Sequence, residues 1–442
     1  LHVMHYHEIN IFSKHKELKN RASAKIFDIL TIPIADRPNW SVEEITKEIE
    51  NNALYLANEI IKNTCLEELN KEFGRNSLQL RLAKCYFIDL HQFCLRVVFL
   101  QENQVDAQRV YMQKPFQLSW EYINSSNQFT GIQFHSDILV VFVGFLGLVS
   151  DYLKMLLRQS YVVLRSTIQP LKLAINTSKN IVLSVKEDTI QSKPGYRNQQ
   201  FWIDATSKDE THYILQTDWR FGRFSSISHF DNTQVLPLSV VGTALRKYSK
   251  DPRLRSVCRP QVKVFLKGVL TANVASMYAF INVLILLRWS IEMGSIALFL
   301  NANKYVFKET HATSSDAIQL VSSKIGVTTY ALQYSNLSIK NCNMQSTADK
   351  YLIFSNAYKA TFSDISFSPL EFISTGYPYR EVANYVKKTA LKLRGNLQGL
   401  GATLIIGYFD ENVHQGKFSL VSREHHQNDI SRLAKLVLLL IE

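Results

Sequence analysis

Apolar strand-like runs and helical stretches alternate along the second part of the chain, and this alternation constrains the fold more than any other feature. Buried-strand patterns occur at 180–185 and 212–216, and helical patterns cover 237–250 and 261–299. Such alternation predicts parallel sheets with helices on both faces, which bind ligands at the carboxyl ends of their strands. Further along, strands are expected at 305–308, 327–332, 351–354, 371–374 and 403–408, and helices at 316–324, 380–394 and 424–441.

The first third of the chain has a mainly helical pattern. Ser41 and Glu44 form a capping box, and apolar residues then recur at helical spacing as far as Gly74. Residues 78–104 also have a helical pattern. We therefore expect a helical N-terminal region over 1–174, ahead of an α/β part that starts near residue 178.

Two uncharged apolar runs leave more than one interpretation open. Residues 138–150 suit a buried core helix, a helix at a membrane surface, or a span, for which 13 residues are short. Residues 269–287 are uncharged over 19 positions but contain Asn273, Ser276 and Asn282. A buried or interfacial helix is favoured there over a span.

The charge distribution narrows the choice of partners. The chain has a formal charge of +12, and eight Lys or Arg residues face one acid between 246 and 267. Basic residues beside an apolar helix suit anionic lipid headgroups or a lipid-diphosphate acceptor, although a solvated basic face is the alternative. No RRM, KH or zinc-finger signature is present, so no nucleic-acid partner is expected. The five cysteines are scattered and contain no CxxC pair, which favours a reducing cytoplasm.

The densest polar cluster, residues 308–316, lies between a predicted strand and a predicted helix. Glu309 and His311 are the candidate catalytic residues, because a carboxylate or an imidazole there could deprotonate a sugar hydroxyl. Glu309 is the preferred base. Ser314 is one of three candidates to cap the helix, whose free N–H groups could bind a phosphate. The alternative is a solvated loop with an ordinary helix cap.

Three more loops at strand ends are candidate binding segments for the substrate or the nucleotide. One of these loops contains Gly376, which lets the backbone come close to a ligand. Arg380 follows it at a predicted helix start and would help to neutralise a diphosphate. No strong metal signature is present, so no metal site is expected. The candidate binding residues in these loops are Gln333, Tyr334, Ser335, Gly376, Tyr377, Arg380, Asp410 and Glu411.

Five short motifs occur in an order that resembles GT-B-type glycosyltransferases of bacterial surface-polysaccharide synthesis. They are 309–311, 326–333, 346–351, 374–378 and 409–411, and the resemblance covers roughly residues 178–442. It implies two Rossmann-like domains, an acceptor-side domain at 178–345 and a nucleotide-sugar domain at 347–442. Because the chain closes within an apolar helical pattern, we expect the second domain to be incomplete.

The resemblance implies an enzyme that transfers a sugar from a nucleotide-sugar donor to a surface-polysaccharide or lipid-linked acceptor, without a further cofactor. We expect it in the cytoplasm, attached peripherally to the inner membrane. One alternative is a non-catalytic, membrane-associated protein of polysaccharide assembly or binding. Another is a different nucleotide-using α/β enzyme such as an epimerase, against which the absence of GxGxxG and P-loop motifs argues.

Overall fold

Parallel strands form the centre of the structure, which is a computed structural model. It describes residues 42–88, 138–168, 180–185, 210–215, 228–230, 233–270, 274–308, 313–333, 342–363, 367, 369–377, 380–401 and 431. The strands in these ranges are β1 (Asn180–Val185), β2 (Glu210–Leu215), β3 (Ser228–Phe230), β4 (Thr233–Leu236), β5 (Lys304–Lys308), β6 (Thr328–Leu332), β7 (Lys350–Ile353) and β8 (Glu371–Ser374).

The described strands form one sheet in the order β3-β4-β2-β1-β5-β6-β7-β8. β3 pairs antiparallel with β4, and the other seven strands run parallel to one another. If β3 is left out and the parallel strands are numbered by their position in the chain, their order across the sheet is 3-2-1-4-5-6-7. This is the strand order of a doubly wound α/β fold with one strand added at the edge, and it confirms the predicted α/β class.

The two strands near the centre are buried on both faces. In β2, Tyr213, Ile214 and Leu215 are buried, and in β1 the consecutive residues 181–183 are buried. Successive side chains in a strand point to opposite faces, so the sheet is covered on both sides here. Strands in such positions have continuous apolar runs, which is why β1 and β2 could be recognised from the sequence.

The described strands continue as one sheet across residue 346, where the sequence predicted a division between 178–345 and 347–442. That division stays a prediction. β6 pairs with β7, with Leu332 opposite Leu352, and β7 pairs with β8 in the same direction. A strand–helix–strand pattern looks the same whether the next strand extends the sheet or begins another. The predicted strand at 403–408 and nearly all of the predicted helix at 424–441 lie outside the described residues.

Helices connect β4 to β5, β5 to β6 and β7 to β8, and one of them passes through the core. Between β4 and β5 the chain forms α4 (Ser239–Tyr248), α5 (Arg255–Cys258), α6 (Pro260–Leu270) and α7 (Val274–Leu300). The later helices are α8 (Thr313–Ile325) after β5, α9 (Ala357–Ser363) after β7 and α10 (Arg380–Gly399) after β8. In length and composition α7 could cross a membrane between Met277 and Leu300, but most of this stretch is buried inside the fold. That burial agrees with a core helix, which passes the same test of length and composition.

The described parts of the N-terminal region are helical and share the core of the sheet. They are α1 (Val42–Lys62), α2 (Leu66–Phe73), a helical segment over 77–88, and α3 (Ile138–Ile168). Their buried apolar residues, such as Leu56 and Leu78, belong to the same cluster as those of the strands. The described helices are therefore part of the α/β core rather than a separate layer.

A polar network fastens these helices to the amino edge of the sheet. The Asp349 carboxylate, just before β7, accepts hydrogen bonds from the backbone N–H and hydroxyl of Thr329 at 2.8 Å each, and pairs with Arg75 at 2.8 Å. Burial acts to raise the pKa of Asp349, but these bonds more than offset it and the pKa lies below the ordinary value. The 346–351 motif therefore serves the amino edge, whereas doubly wound folds bind their ligands at the opposite, carboxyl edge.

Candidate functional site

The order of the strands reverses between β1 and β5, and this point defines the expected ligand crevice. The two strands are parallel neighbours, with Ser184 opposite Val306. From β1 the sheet continues through β2 and β4 on one side, and from β5 through β6, β7 and β8 on the other. In folds of this type the connections after the two strands at the reversal run to opposite sides of the sheet, and a crevice opens between the strand ends.

The predicted site residues follow strands that end side by side along this edge. Glu309 and His311 come directly after β5, Gln333 after β6, and Gly376 and Tyr377 just after β8. Neighbouring strands are ~4.8 Å apart, so the ends of β5 and β8 are separated by roughly 14 Å. β5, β6 and β8 run parallel in one sheet, so their carboxyl ends lie along one edge. That the predicted site residues line one cleft stays a prediction.

Seven predicted site residues lie wholly or partly outside the described part of the chain. Glu309, His311, Tyr334, Ser335, Asp410 and Glu411 lie outside the described residues, and of Arg380 only the backbone is described, as the first residue of α10. That Glu309 and His311 line the crevice, with Glu309 as the base, stays a prediction. For Glu309, His311, Tyr334 and Ser335 the structure supplies the position of the preceding strand.

A group of buried charges at the start of α8 was not predicted from the sequence. One Arg81 nitrogen donates to Asp316 Oδ2 at 3.1 Å and another to Thr313 Oγ1 at 2.8 Å. Lys84 Nζ donates to Asp316 Oδ1 at 2.8 Å, and the Lys84 side chain is only 2% exposed. We call Arg81, Lys84, Thr313 and Asp316 the buried cationic centre.

Two cations and a helix N-terminus meet at the buried cationic centre. Arg81 and Lys84 both pair with the Asp316 carboxylate, and the N-terminus of α8 adds a partial positive charge. Burial acts to lower the pKa of Arg81, but neighbouring Cys85 and the Asp316 carboxylate more than offset it, so the pKa is raised. Thr313 of the centre follows the segment 309–312, which contains Glu309 and His311, directly in the sequence.

Ser314 lies in the first turn of α8 and is buried. Its neighbour Thr313 is the residue whose hydroxyl accepts the bond from Arg81. The polar residues at this helix start are thus held in part by the N-terminal segment over 77–88. The sequence signal for this contact was the pair of basic residues, Arg81 and Lys84, on an otherwise apolar helical pattern.

Gln333 braces the ends of β6 and β7. Its backbone N–H donates to the Leu352 carbonyl at 2.9 Å, and its side-chain oxygen accepts from the Phe354 N–H at 2.8 Å. Gln333 is almost fully buried, at 2% exposure. These contacts hold the shape of the edge, so Gln333 positions the loops after β6 and β7.

The loop after β8 presents an aromatic side chain and a left-handed glycine. Gly376 has a φ of 80°, a backbone conformation that residues other than glycine rarely adopt. The ring of Tyr377 is half exposed and meets the ring of Phe354 edge-on, with centroids 5.1 Å apart. Phe354 in turn contacts Tyr358 of α9. A half-exposed ring on an aromatic base suits stacking against a flat ligand.

The function of this chain has to be inferred from its fold and from the carboxyl edge of its sheet. No family model matches the chain, and no solved structure matches it. Within the described ranges, no group of three or more His, Cys, Asp or Glu side chains could hold a metal ion. The structure defines a doubly wound α/β protein with a polar and aromatic carboxyl edge.

Proposed function

We propose that this chain is a glycosyltransferase that transfers a sugar from a nucleotide-sugar to a surface-polysaccharide or lipid-linked acceptor in the cytoplasm. The observation that carries the proposal is the buried cationic centre at the start of α8, next to the strand reversal between β1 and β5. Negative charge that develops on a leaving diphosphate is stabilised by cations and helix N–H groups fixed in place beforehand.

In this proposal the edge has two functional parts. The loop after β5 supplies the base, with Glu309 preferred over His311, beside the buried cationic centre. The loop after β8 supplies Tyr377, whose half-exposed ring suits the flat base of a nucleotide. Arg380, at the start of α10, would contribute a further cation to the diphosphate.

The GT-B resemblance needs a different division of the chain. The sheet that runs from β1 to β8 supports one Rossmann-like unit, since β7 and β8 extend it. We propose that this unit is the acceptor-side domain. The nucleotide-sugar domain that the resemblance implies would then draw on residues after β8 rather than beginning at residue 347.

The proposal is tested by ligand binding. A panel of uridine, guanosine, cytidine and thymidine nucleotide-sugars is added to the protein, and the midpoint of thermal unfolding is measured. A ligand at 100 times its Kd stabilises the native state by about 2.7 kcal/mol. We expect at least one donor to raise the midpoint, and the Tyr377→Ala variant to reduce the shift. If no nucleotide-sugar shifts the midpoint, the proposal fails.

The alternative of a non-catalytic protein of polysaccharide assembly is favoured by one observation, a row of exposed apolar side chains on α3. Such a protein binds a surface or a glycan without turnover. Release of nucleoside diphosphate in the presence of acceptor distinguishes the two, because only the enzyme produces it.

A further inference from the structure

Six exposed apolar side chains form a single row along α3. They follow one another at helical spacing, so that they lie on the same side of the helix. Leu157, Leu164 and Ile168 are 69%, 63% and 72% exposed. We call this row the α3 stripe; its members are Leu146, Leu153, Leu157, Tyr161, Leu164 and Ile168.

The opposite side of α3 is fixed to the core, which holds the α3 stripe outward. Glu292 of α7 is fully buried and accepts hydrogen bonds from Arg158 at 2.9 and 3.0 Å and from Gln159 at 3.0 Å. The Arg158 guanidinium also lies 5.0 Å from the centroid of the Trp289 ring. Met155 and Val162 are buried on this inner side. Turning the stripe inward would expose apolar residues and break a buried ion pair.

The residues around the α3 stripe are mainly basic. Between residues 146 and 168 the helix has one acid, Asp151, which pairs with Lys154 at 3.0 Å. Arg165 lies beside the hydroxyl and ring of Tyr161, and Arg246 of α4 donates to the Thr167 hydroxyl at 3.3 Å. Arginine next to tyrosine on an apolar helix is typical of the boundary between lipid headgroups and acyl chains.

The spacing of the α3 stripe is unsuited to a paired helix from a second copy of the chain. A two-stranded seam alternates steps of three and four residues. Between Leu153 and Tyr161 the stripe takes two consecutive steps of four, which breaks that alternation. Two such faces would also bring their arginines together, and like charges in contact repel.

We propose that the α3 stripe is a docking surface for an anionic membrane. The apolar side chains enter the headgroup boundary, and Arg165 and Arg246 pair with lipid phosphates. Attachment is peripheral, since α3 is fastened to α7 along its inner side. The inference is independent of glycosyl transfer, and its test involves no turnover, so either proposal can fail alone.

The test is sedimentation of the full chain with vesicles of phosphatidylcholine alone or of an equimolar mixture with phosphatidylglycerol. The stripe variant combines Leu157→Gln and Leu164→Gln. We expect it to bind the anionic vesicles at least about ten-fold more weakly than wild type, because each buried leucine contributes roughly ten-fold to partitioning. The matched control combines Leu391→Gln and Leu393→Gln on α10, which are similarly exposed at 57% and 59%, and should bind as wild type.

A second variant, Arg165→Gln with Arg246→Gln, separates charge from apolar contact. It should lose binding to the phosphatidylglycerol mixture, while any weak binding to phosphatidylcholine alone stays unchanged. Thermal unfolding confirms that all variants fold. Equal vesicle binding by wild type and the stripe variant would overturn the proposal. So would a dimer, seen by sedimentation velocity without lipid, that only the stripe variant abolishes.

Discussion

Asp316 is the residue on which the buried cationic centre depends. Its carboxylate is the partner of both Arg81 and Lys84, and it lies in the first turn of α8, where a negative charge is favourable. Asp316→Asn removes the carboxylate with which both buried cations pair. Breaking a buried pair in this way costs about 3–5 kcal/mol. We expect a loss of this size in the free energy of unfolding, measured by urea denaturation.

The exposed pair between Glu68 and Lys263 is the control for that experiment. Its side chains are solvated, and the surrounding water already screens their interaction. Glu68→Gln should therefore leave the urea midpoint where it is in wild type. If the two substitutions lowered the urea midpoint equally, burial of the Asp316 network would add nothing to the free energy of unfolding.

His212 makes stability depend on pH. Burial in β2 lowers the pKa of His212 below its ordinary value, and this is only partly offset by Glu210, whose carboxylate lies 3.7 Å away. The unfolded chain takes up a proton near pH 6.5 and the folded chain does so only at lower pH. The free energy of unfolding should therefore fall as the pH drops below about 6.5.

The His212→Gln variant checks this residue directly. Urea denaturation of both proteins at several pH values between 7.5 and 5.5 gives the slope of stability with pH. The variant should show a smaller fall over this range, because the residue that titrates is gone. An identical slope in both proteins would assign the pH dependence to other groups.

At the scale of elements, α3 and α4 pack closely because Gly242 has no side chain at their contact. A Cβ built on Gly242 would lie 2.0 Å from the Val162 carbonyl oxygen and 2.8 Å from the Ser166 hydroxyl. Gly242→Ala forces the two helices apart, and overpacking of this kind costs about 1–3 kcal/mol or more. We expect a lower urea midpoint. Gly395→Ala on α10, where nothing lies within 4 Å, should instead stabilise by about 0.5–1 kcal/mol.

Elements with strong apolar patterns could be predicted closely, and elements with weak ones could not. The helix expected at 380–394 begins at Arg380 and ends at Gly399, and the strand expected at 305–308 begins one residue earlier. The four-residue strands β7 and β8 were predicted, whereas β3 and β4, whose sequences are half or more polar, were missed. The helical stretch expected at 261–299 is helical at Pro260–Leu270 and Val274–Leu300.

At the scale of the whole molecule, the shared edge of β5 and β6 could be predicted, but the place of β8 on that edge and the buried cationic centre could not. Parallel strands of one sheet present their carboxyl ends on one side, whereas the sequence pattern assigned β8 to a second domain. Arg81 and Asp316 are 235 residues apart, and only the packing of the segment over 77–88 against α8 brings them together. The same long-range packing decided that β7 and β8 extend the first sheet.

The central claim is that the edge near β5 catalyses sugar transfer with Glu309 as the base. The measurement is the rate of nucleoside diphosphate release, with acceptor present, for wild type and for Glu309→Gln, with the fold of both checked by circular dichroism. The variant keeps the shape of the side chain and removes its basicity, so the rate should fall by about 10²–10⁴. Near wild-type turnover by Glu309→Gln would contradict the role of Glu309, and absence of donor-dependent release from the wild-type chain would contradict the account as a whole.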